Sequence, residues 1–96
     1  MAGNSTDPAF AVVSNENVAY TGTAAASAAF ASGINHIRIV ATTAAYYKIA
    51  GTPVATSSDT YIPANVIEII RVNPGQKISF IQVASGGTAS VSQMSK

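Results

Sequence analysis

Cysteine and leucine are both absent from this 96-residue chain. Without cysteine there is no disulfide, no thiolate nucleophile and no cysteine-ligated zinc. Leucine is a strong helix former, whereas isoleucine, valine and threonine are stiff at χ1 and fit pleated strands. Because the chain has ten Ile, nine Val and nine Thr, its composition predicts an all-β domain.

Charged residues are also scarce. Asp, Glu, Lys and Arg together make up 9% of the chain, and the formal net charge is +1. So weak a field does not attract a polyanion or an anionic membrane, and we expect neither nucleic-acid nor membrane binding. A soluble monomer normally carries more surface charge. Either Ser, Thr and Asn keep the chain in solution or other subunits cover much of its surface, and we favour the second explanation.

No targeting or membrane segment is predicted. The first ten residues lack the basic and apolar regions of a secretory signal. Residues 17–35 carry no charge but consist mainly of Ala, Ser, Thr and Gly, so their apolarity is too weak for a bilayer span.

A change in composition near Gly33 suggests how the chain is organised. All ten Ile residues follow it, while mainly small residues precede it. We predict an extended N-terminal arm over residues 1–16 and a single β domain over residues 17–96. Within that domain, residues 17–32 are expected to form one or two weakly specified strands.

Three segments after Gly33 have clear patterns. In the segment 36–41, the apolar positions 37, 39 and 41 alternate with positions 36, 38 and 40, as in a half-buried strand. Tyr47 and Ile49 are expected on one face of the next strand, with Tyr46 and Lys48 on the other. Residues 52–59 are rich in Thr, Ser, Pro and Asp, which predicts a loop.

The last third of the chain predicts further strands joined by turns. A strand resumes after Pro63, with apolar residues on both faces between positions 66 and 72. Residues 73–76 match a type II turn, with Pro and Gly at its two central positions. Gly86 and Gly87 predict a second tight turn, a hairpin into the final strand. The fold expected from these elements is a small β-sandwich or a jelly-roll-like domain of six to eight short strands.

The residues that support catalysis are few and scattered. His36 is the only histidine, and Asp7, Glu16, Asp59 and Glu68 share no recognisable motif with it. A general base needs a positioned partner, and a metal needs at least two more ligands. We therefore expect no enzyme activity, no cofactor and no metal site, and we interpret His36 as a solvent-facing or interface imidazole.

The remaining candidates are contact residues. Phe10, Val12 and Val13 form an apolar cluster in the otherwise polar arm, which suggests docking into a groove on a neighbour or closure of the chain's own core. Tyr46 and Tyr47 are adjacent, so one of them faces away from the core. Ile70 belongs to the apolar segment 66–72 that an oligomer would bury. The predicted contact residues are thus Phe10, Val12, Val13, Tyr46 and Ile70.

Residues 37–94 contain a series of short motifs in a distinctive order. The order is D-x-Y-[IL]-P-A, a strand with Glu, a P-G turn, a K-[VI]-[AS]-[FV]-I strand and a terminal G-G-T-x-x-V-[ST]-x-M. In this sequence it comprises Asp59, Tyr61, Ile62, Pro63, Ala64, Glu68, Pro74, Gly75, Lys77, Ile78, Ile81, Gly86, Gly87, Thr88, Val91 and Met94. This pattern resembles that of small structural proteins of tailed bacteriophages.

The resemblance implies a virion component on the capsid surface, of the head decoration or cement type. Such a protein acts by contact, so its partners would be the major capsid protein and other copies of the chain, a homotrimer in particular. The alternative is a head or tail fibre knob that binds host-surface glycans through an exposed Tyr46, Tyr47 or Tyr61.

Overall fold

A computed structural model of the protein describes residues 11–95. These residues contain eight β-strands and no helix. The described part of the chain therefore has no helix that could cross a membrane. The strands are β1 (Ala11–Tyr20), β2 (Ala25–Ala26), β3 (His36–Ala41), β4 (Ala45–Ala50), β5 (Thr60–Ile62), β6 (Glu68–Arg71), β7 (Lys77–Gln82) and β8 (Gly87–Ser95). The prediction of an all-β domain is confirmed.

The strands form two four-stranded antiparallel sheets with the strand order of a jelly roll. Sheet A has the order β1-β8-β3-β6 and sheet B the order β2-β7-β4-β5. The antiparallel pairs β1–β8, β2–β7, β3–β6 and β4–β5 follow one another as in a single long hairpin. The first and third pairs lie in sheet A, and the second and fourth lie in sheet B. Eight strands in two sheets of this kind define the jelly roll. The predicted sandwich or jelly-roll-like domain is confirmed in its more specific form.

Strand β3 shows why the sandwich forms. Its burial alternates strictly, with Ile37, Ile39 and Ala41 buried and the residues between them half-buried. This is the predicted two-residue period, and it directs the isoleucines into the space between the sheets. Strand β8 pairs with β3 on one side and β6 pairs with it on the other, so β3 is a central strand of sheet A.

Strands β4 and β7 supply the facing layer of the core. Ile78 and Phe80 are fully buried, and Tyr47 and Ile49 pack against the same cluster. Tyr46 and Lys48 take the outer face, as the alternation predicts. The buried apolar cluster comprises Val18, Tyr20, Phe30, Ile34, Ile37, Ile39, Ala41, Ala45, Ile62, Val72, Ile78, Phe80, Ala89 and Val91.

The predicted type II turn joins the two sheets between β6 and β7. The Gln76 N–H donates to the Asn73 carbonyl over 3.2 Å, and Gly75 has a φ of 88°. A positive φ at the third residue is the signature of this turn type, and glycine accepts it without a steric penalty.

The strand predicted to resume after Pro63 is shorter than expected. Strand β6 starts only at Glu68. Asn65 lies in the left-handed region with a φ of 61°, and its N–H donates to the Ala41 carbonyl over 2.7 Å. This backbone geometry turns the chain from sheet B to sheet A, and an extended ladder cannot include it.

The predicted hairpin at Gly86 and Gly87 is wrong. Strand β7 belongs to sheet B and β8 to sheet A, so the connection crosses between the sheets. Gly87 is the first residue of β8, and a Cβ there would lie 2.8 Å from the Tyr20 phenol oxygen. The glycine is needed for this close approach rather than for a hairpin turn.

The boundary placed at residue 16 falls inside a strand. Ala11 to Glu16 form the first part of β1, where they pair with β8 from Ser95 to Val91. The remainder of the predicted arm, residues 1–10, lies outside the described residues. Residues 17–32, for which weak strands were expected, contain the end of β1 and the two-residue β2.

Candidate binding surfaces

The predicted contact residues lie on separate parts of the sandwich. Val12 and Val13 are 60% and 58% exposed on β1, at one edge of sheet A. Tyr46 lies on the outer face of sheet B, and Ile70 lies on β6 at the opposite edge of sheet A. Phe10 is outside the described residues. The structure therefore does not bring the described members of this set together in one site.

Ile70 points into the molecule, and its neighbour Ile69 is the exposed residue. Ile70 is half-buried and packs against the core cluster, whereas Ile69 is 57% exposed. Glu68 and Ile70 share the inward face, and Ile69 and Arg71 share the outward one. Sequence reasoning assigned apolar contacts to both faces of this segment and did not separate them. The pairing of Ile70 with the buried Ile37 on β3 separates the two faces, and this register is known only from the structure.

A group of exposed apolar residues lies in β6 and in the two positions before it. Val66 is 42% exposed, Ile67 54% and Ile69 57%. We call these three residues the β6 flank. Contiguous apolar side chains at a surface mark sites of contact more often than isolated ones do. Because β6 is also the terminal strand of sheet A, its outer backbone edge is available for pairing with another chain.

The outer face of sheet B carries an aromatic pair. Tyr46 and Tyr61 are directly opposite one another on β4 and β5, and their ring centroids are 5.9 Å apart at an interplanar angle of 61°. Tyr61 is 50% exposed, and Ile81 of β7 is opposite Tyr46 on its other side. This row forms a surface on which a flat apolar group could rest.

Tyr47 and Glu68 link the two sheets. The Tyr47 phenol of β4 donates a hydrogen bond of 3.0 Å to the carboxylate of Glu68 on β6. Burial raises the pKa of Tyr47 to about 12, and the hydrogen bond to Glu68 and the negative charge of that carboxylate add to the effect. The phenol therefore remains a neutral donor at physiological pH. Glu68 and Arg71 lie on opposite faces of β6, and the partner of Glu68 is on the facing sheet.

His36 occupies the outer face of sheet A. It is half-buried, its Nδ1 lies 2.8 Å from the side-chain oxygen of Asn35, and it is directly opposite Arg71 on β6. Among residues 11–95 no group of three or more His, Asp or Glu side chains is placed to hold a metal ion. An open cleft of about 400 Å³ lies near the end of β6, lined by Ile49, Arg71, Val72, Asn73 and Gln76.

No family model, no curated protein and no solved structure matches this chain. The functional proposals therefore depend on the residues and surfaces described above, together with the resemblance seen in the sequence.

Proposed function

We propose that this chain is a non-enzymatic structural protein of a tailed-phage virion, a decoration protein that binds the head and stabilises it. The observation that carries the proposal is the β6 flank, where Val66, Ile67 and Ile69 are exposed beside an unpaired strand edge. The resemblance of residues 37–94 to phage structural proteins supplies the virion context. The jelly-roll strand order is common to viral capsid and lectin domains, so it supports this proposal and its rival equally.

The proposed mechanism is added interface. Apolar side chains that are removed from water on docking contribute roughly 25 cal/mol per Å². A ligand that binds only the assembled head shifts its equilibrium away from dissociation. We propose that the chain assembles as a trimer. A closed ring of three copies would bind the major capsid protein through three copies of the same contact at once. The docking role of Phe10 stays a prediction.

Solution mass and head binding test this proposal together. Sedimentation equilibrium of the full chain should give about 29 kDa, three times the 9.7 kDa of one chain. Purified protein should then pellet with undecorated heads of the encoding phage, and a variant with Ile67→Ser and Ile69→Thr should pellet less.

Val54 offers a matched control for the β6 flank. It is an apolar residue that is 62% exposed on the loop between β4 and β5, away from the proposed contact. The variant Val54→Thr should therefore pellet like the wild type. Failure of the wild type to pellet would contradict the proposal.

A second candidate function is glycan binding on the outer face of sheet B. The pair of the half-buried Tyr46 and the exposed Tyr61 favours it, since sugar rings commonly stack on aromatic side chains. Tyr47, which the sequence also offered for this role, points inward to Glu68 and is not part of the surface. Binding of the isolated protein to a glycan array, lost in Tyr61→Ala and retained in Val54→Thr, would support this candidate.

A further inference from the structure

One outer surface of sheet A combines cationic and apolar side chains at its edge. Arg38 of β3 is directly opposite Ile69 of β6, and His36 is directly opposite Arg71. Opposite residues in antiparallel strands share a face, and the alternate residues of β3 are buried, so this face is the outer one. With Ile67, which is 54% exposed and immediately precedes β6, these residues make up what we call the β3–β6 face.

The described carboxylates all lie elsewhere and bond to other groups. Glu16 accepts hydrogen bonds of 3.0 and 3.2 Å from a backbone N–H just after β2. Asp59 accepts from the backbone and side chain of Thr56 within its own loop. Glu68 faces inward to the Tyr47 phenol. The part of the β3–β6 face that the structure describes thus has two guanidinium groups and no carboxylate.

We propose that the β3–β6 face binds an extended, acidic and apolar segment of a partner protein. A strand added to β6 places residues opposite Ile69 and Arg71 on one face, two positions apart along the partner. An apolar side chain then covers Ile69, and a carboxylate pairs with Arg71. Arg38 lies on β3, on the far side of β6 from the added strand, and pairs with a second carboxylate of the partner. A guanidinium binds a carboxylate through two parallel hydrogen bonds.

The chemistry of the face favours a protein over a nucleic acid. Binding of single-stranded nucleic acid uses aromatic rings for base stacking along a cationic groove. The β3–β6 face has one imidazole, and its two isoleucines match apolar side chains instead. The inference rests on the proposed function only for the identity of the partner, which would be a chain of the capsid. The surface itself is tested without capsids.

The test is an NMR titration of the 15N-labelled full chain with the peptide acetyl-VSESVSES-amide. This peptide presents valine and glutamate two positions apart on one face of a strand. Amide shifts should change at residues 36–39 and 67–71 and stay constant in β4 and β7, and the matched peptide acetyl-VSKSVSKS-amide should change none of them. In the double variant Arg38→Glu/Arg71→Glu binding should be about tenfold weaker, as expected when two exposed ion pairs are replaced by repulsion.

A charge-matched variant separates a local effect from a net-charge effect. Lys48→Glu/Lys77→Glu makes the same change in net charge on sheet B, where the two lysines lie on β4 and β7, and it should bind like the wild type. The proposal is overturned if both double variants weaken binding equally, if the shifts lie on sheet B, or if millimolar peptide causes none. It is also overturned if oligothymidylate shifts the same amides at lower concentration, because the partner would then be a nucleic acid.

Pelleting with heads distinguishes this inference from the proposed function. If the peptide shifts the expected amides but the wild-type chain does not pellet with heads, the capsid function fails and the surface assignment holds. If the wild type and Arg38→Glu/Arg71→Glu pellet equally well, the capsid function holds and the assignment of the β3–β6 face as its contact is refuted.

Discussion

The side chains of Tyr47 on sheet B and Glu68 on the edge strand of sheet A form a hydrogen bond. Sequence alternation assigned Tyr47 to the face it shares with Ile49, and the structure confirms this. Its partner was not predictable, because Tyr47 and Glu68 are 21 positions apart and meet only when the chain folds on itself.

Replacing Tyr47 should change the response of the protein to alkaline pH. The folded-state pKa of about 12 lies above the ordinary tyrosine value of 10.0. The phenol's contribution to stability is therefore complete below pH 10 and is lost as the pH rises towards 12. Tyr47→Phe should remove this part of the decline and cost about 1 kcal/mol at neutral pH, because Glu68 loses its donor. Urea unfolding at a series of pH values measures both effects.

Tyr46→Phe is the matched control, since this neighbour lies on the outer face of β4. It should retain the wild-type decline between pH 10 and 12. Parallel curves for Tyr47→Phe and the wild type would show that the phenol is not the group responsible.

Gly87 is a second residue whose role depends on the fold. The Tyr20 phenol donates to the Thr43 carbonyl over 2.6 Å, and the Thr88 N–H donates to the Thr42 hydroxyl over 2.9 Å. These contacts bring the end of β1 and the start of β8 together with the connection between β3 and β4. A Cβ on Gly87 would lie 2.7 Å from the Thr42 hydroxyl oxygen.

Gly87→Ala should therefore destabilise the protein by about 1–3 kcal/mol, the usual cost of forcing an extra carbon into a packed region. Gly51→Ala is the control, because a Cβ there meets nothing within 4 Å, and it should change stability by less than about 0.5 kcal/mol. Thermal unfolding followed by circular dichroism would compare the two. Equal midpoints would contradict the role given to Gly87.

At the scale of elements, sequence predicted best where alternation was strict. Strands β3 and β4 have apolar residues at every second position, and their faces are as expected. Strand β6 was predicted too long, because the left-handed turn at Asn65 has no apolar pattern to announce it. The exposed Ile69 of the candidate surface was missed because residues 66–72 have apolar side chains on both faces. The sequence therefore does not show which face is exposed.

Strand β1 gives a prediction about truncation. Deleting residues 1–16 removes five of the nine register pairs that join β1 to β8, from Ala11–Ser95 to Glu16–Val91. Deleting residues 1–10 removes none of them. We expect the longer deletion to lower the unfolding midpoint by at least several degrees and the shorter one to leave the sheet intact. Far-UV circular dichroism and amide NMR spectra would show whether the longer deletion keeps its wild-type pattern, which would contradict the pairing.

At the scale of the whole molecule, the class of fold was predictable and the strand order was not. An excess of β-branched residues over helix formers predicts strands in general. The division of the strands between two sheets depends on pairs such as Val18–Ala89, which are distant in sequence and have no local signal. The predicted hairpin at Gly86 and Gly87 was wrong for this reason, since sequence neighbours were assumed to pair.

The surface of the molecule matches its proposed work. Among the residues whose burial the structure describes, eight large apolar side chains are 42% to 62% exposed, and only 9% of the whole sequence is charged. A monomer free in solution gains nothing from such a surface, whereas a subunit of an assembly can bury it. The β3–β6 face and the tyrosine pair lie on the outer faces of opposite sheets.

The most direct test of the proposed function is to measure how the chain changes the thermal stability of phage heads. Undecorated heads should be heated in a calorimeter with and without a saturating amount of the purified chain. We predict that the chain raises the temperature at which the heads come apart, and that Ile67→Ser/Ile69→Thr reduces this shift while Val54→Thr keeps it. Heads that bind the wild-type chain and come apart at an unchanged temperature would contradict the central claim that it stabilises the capsid.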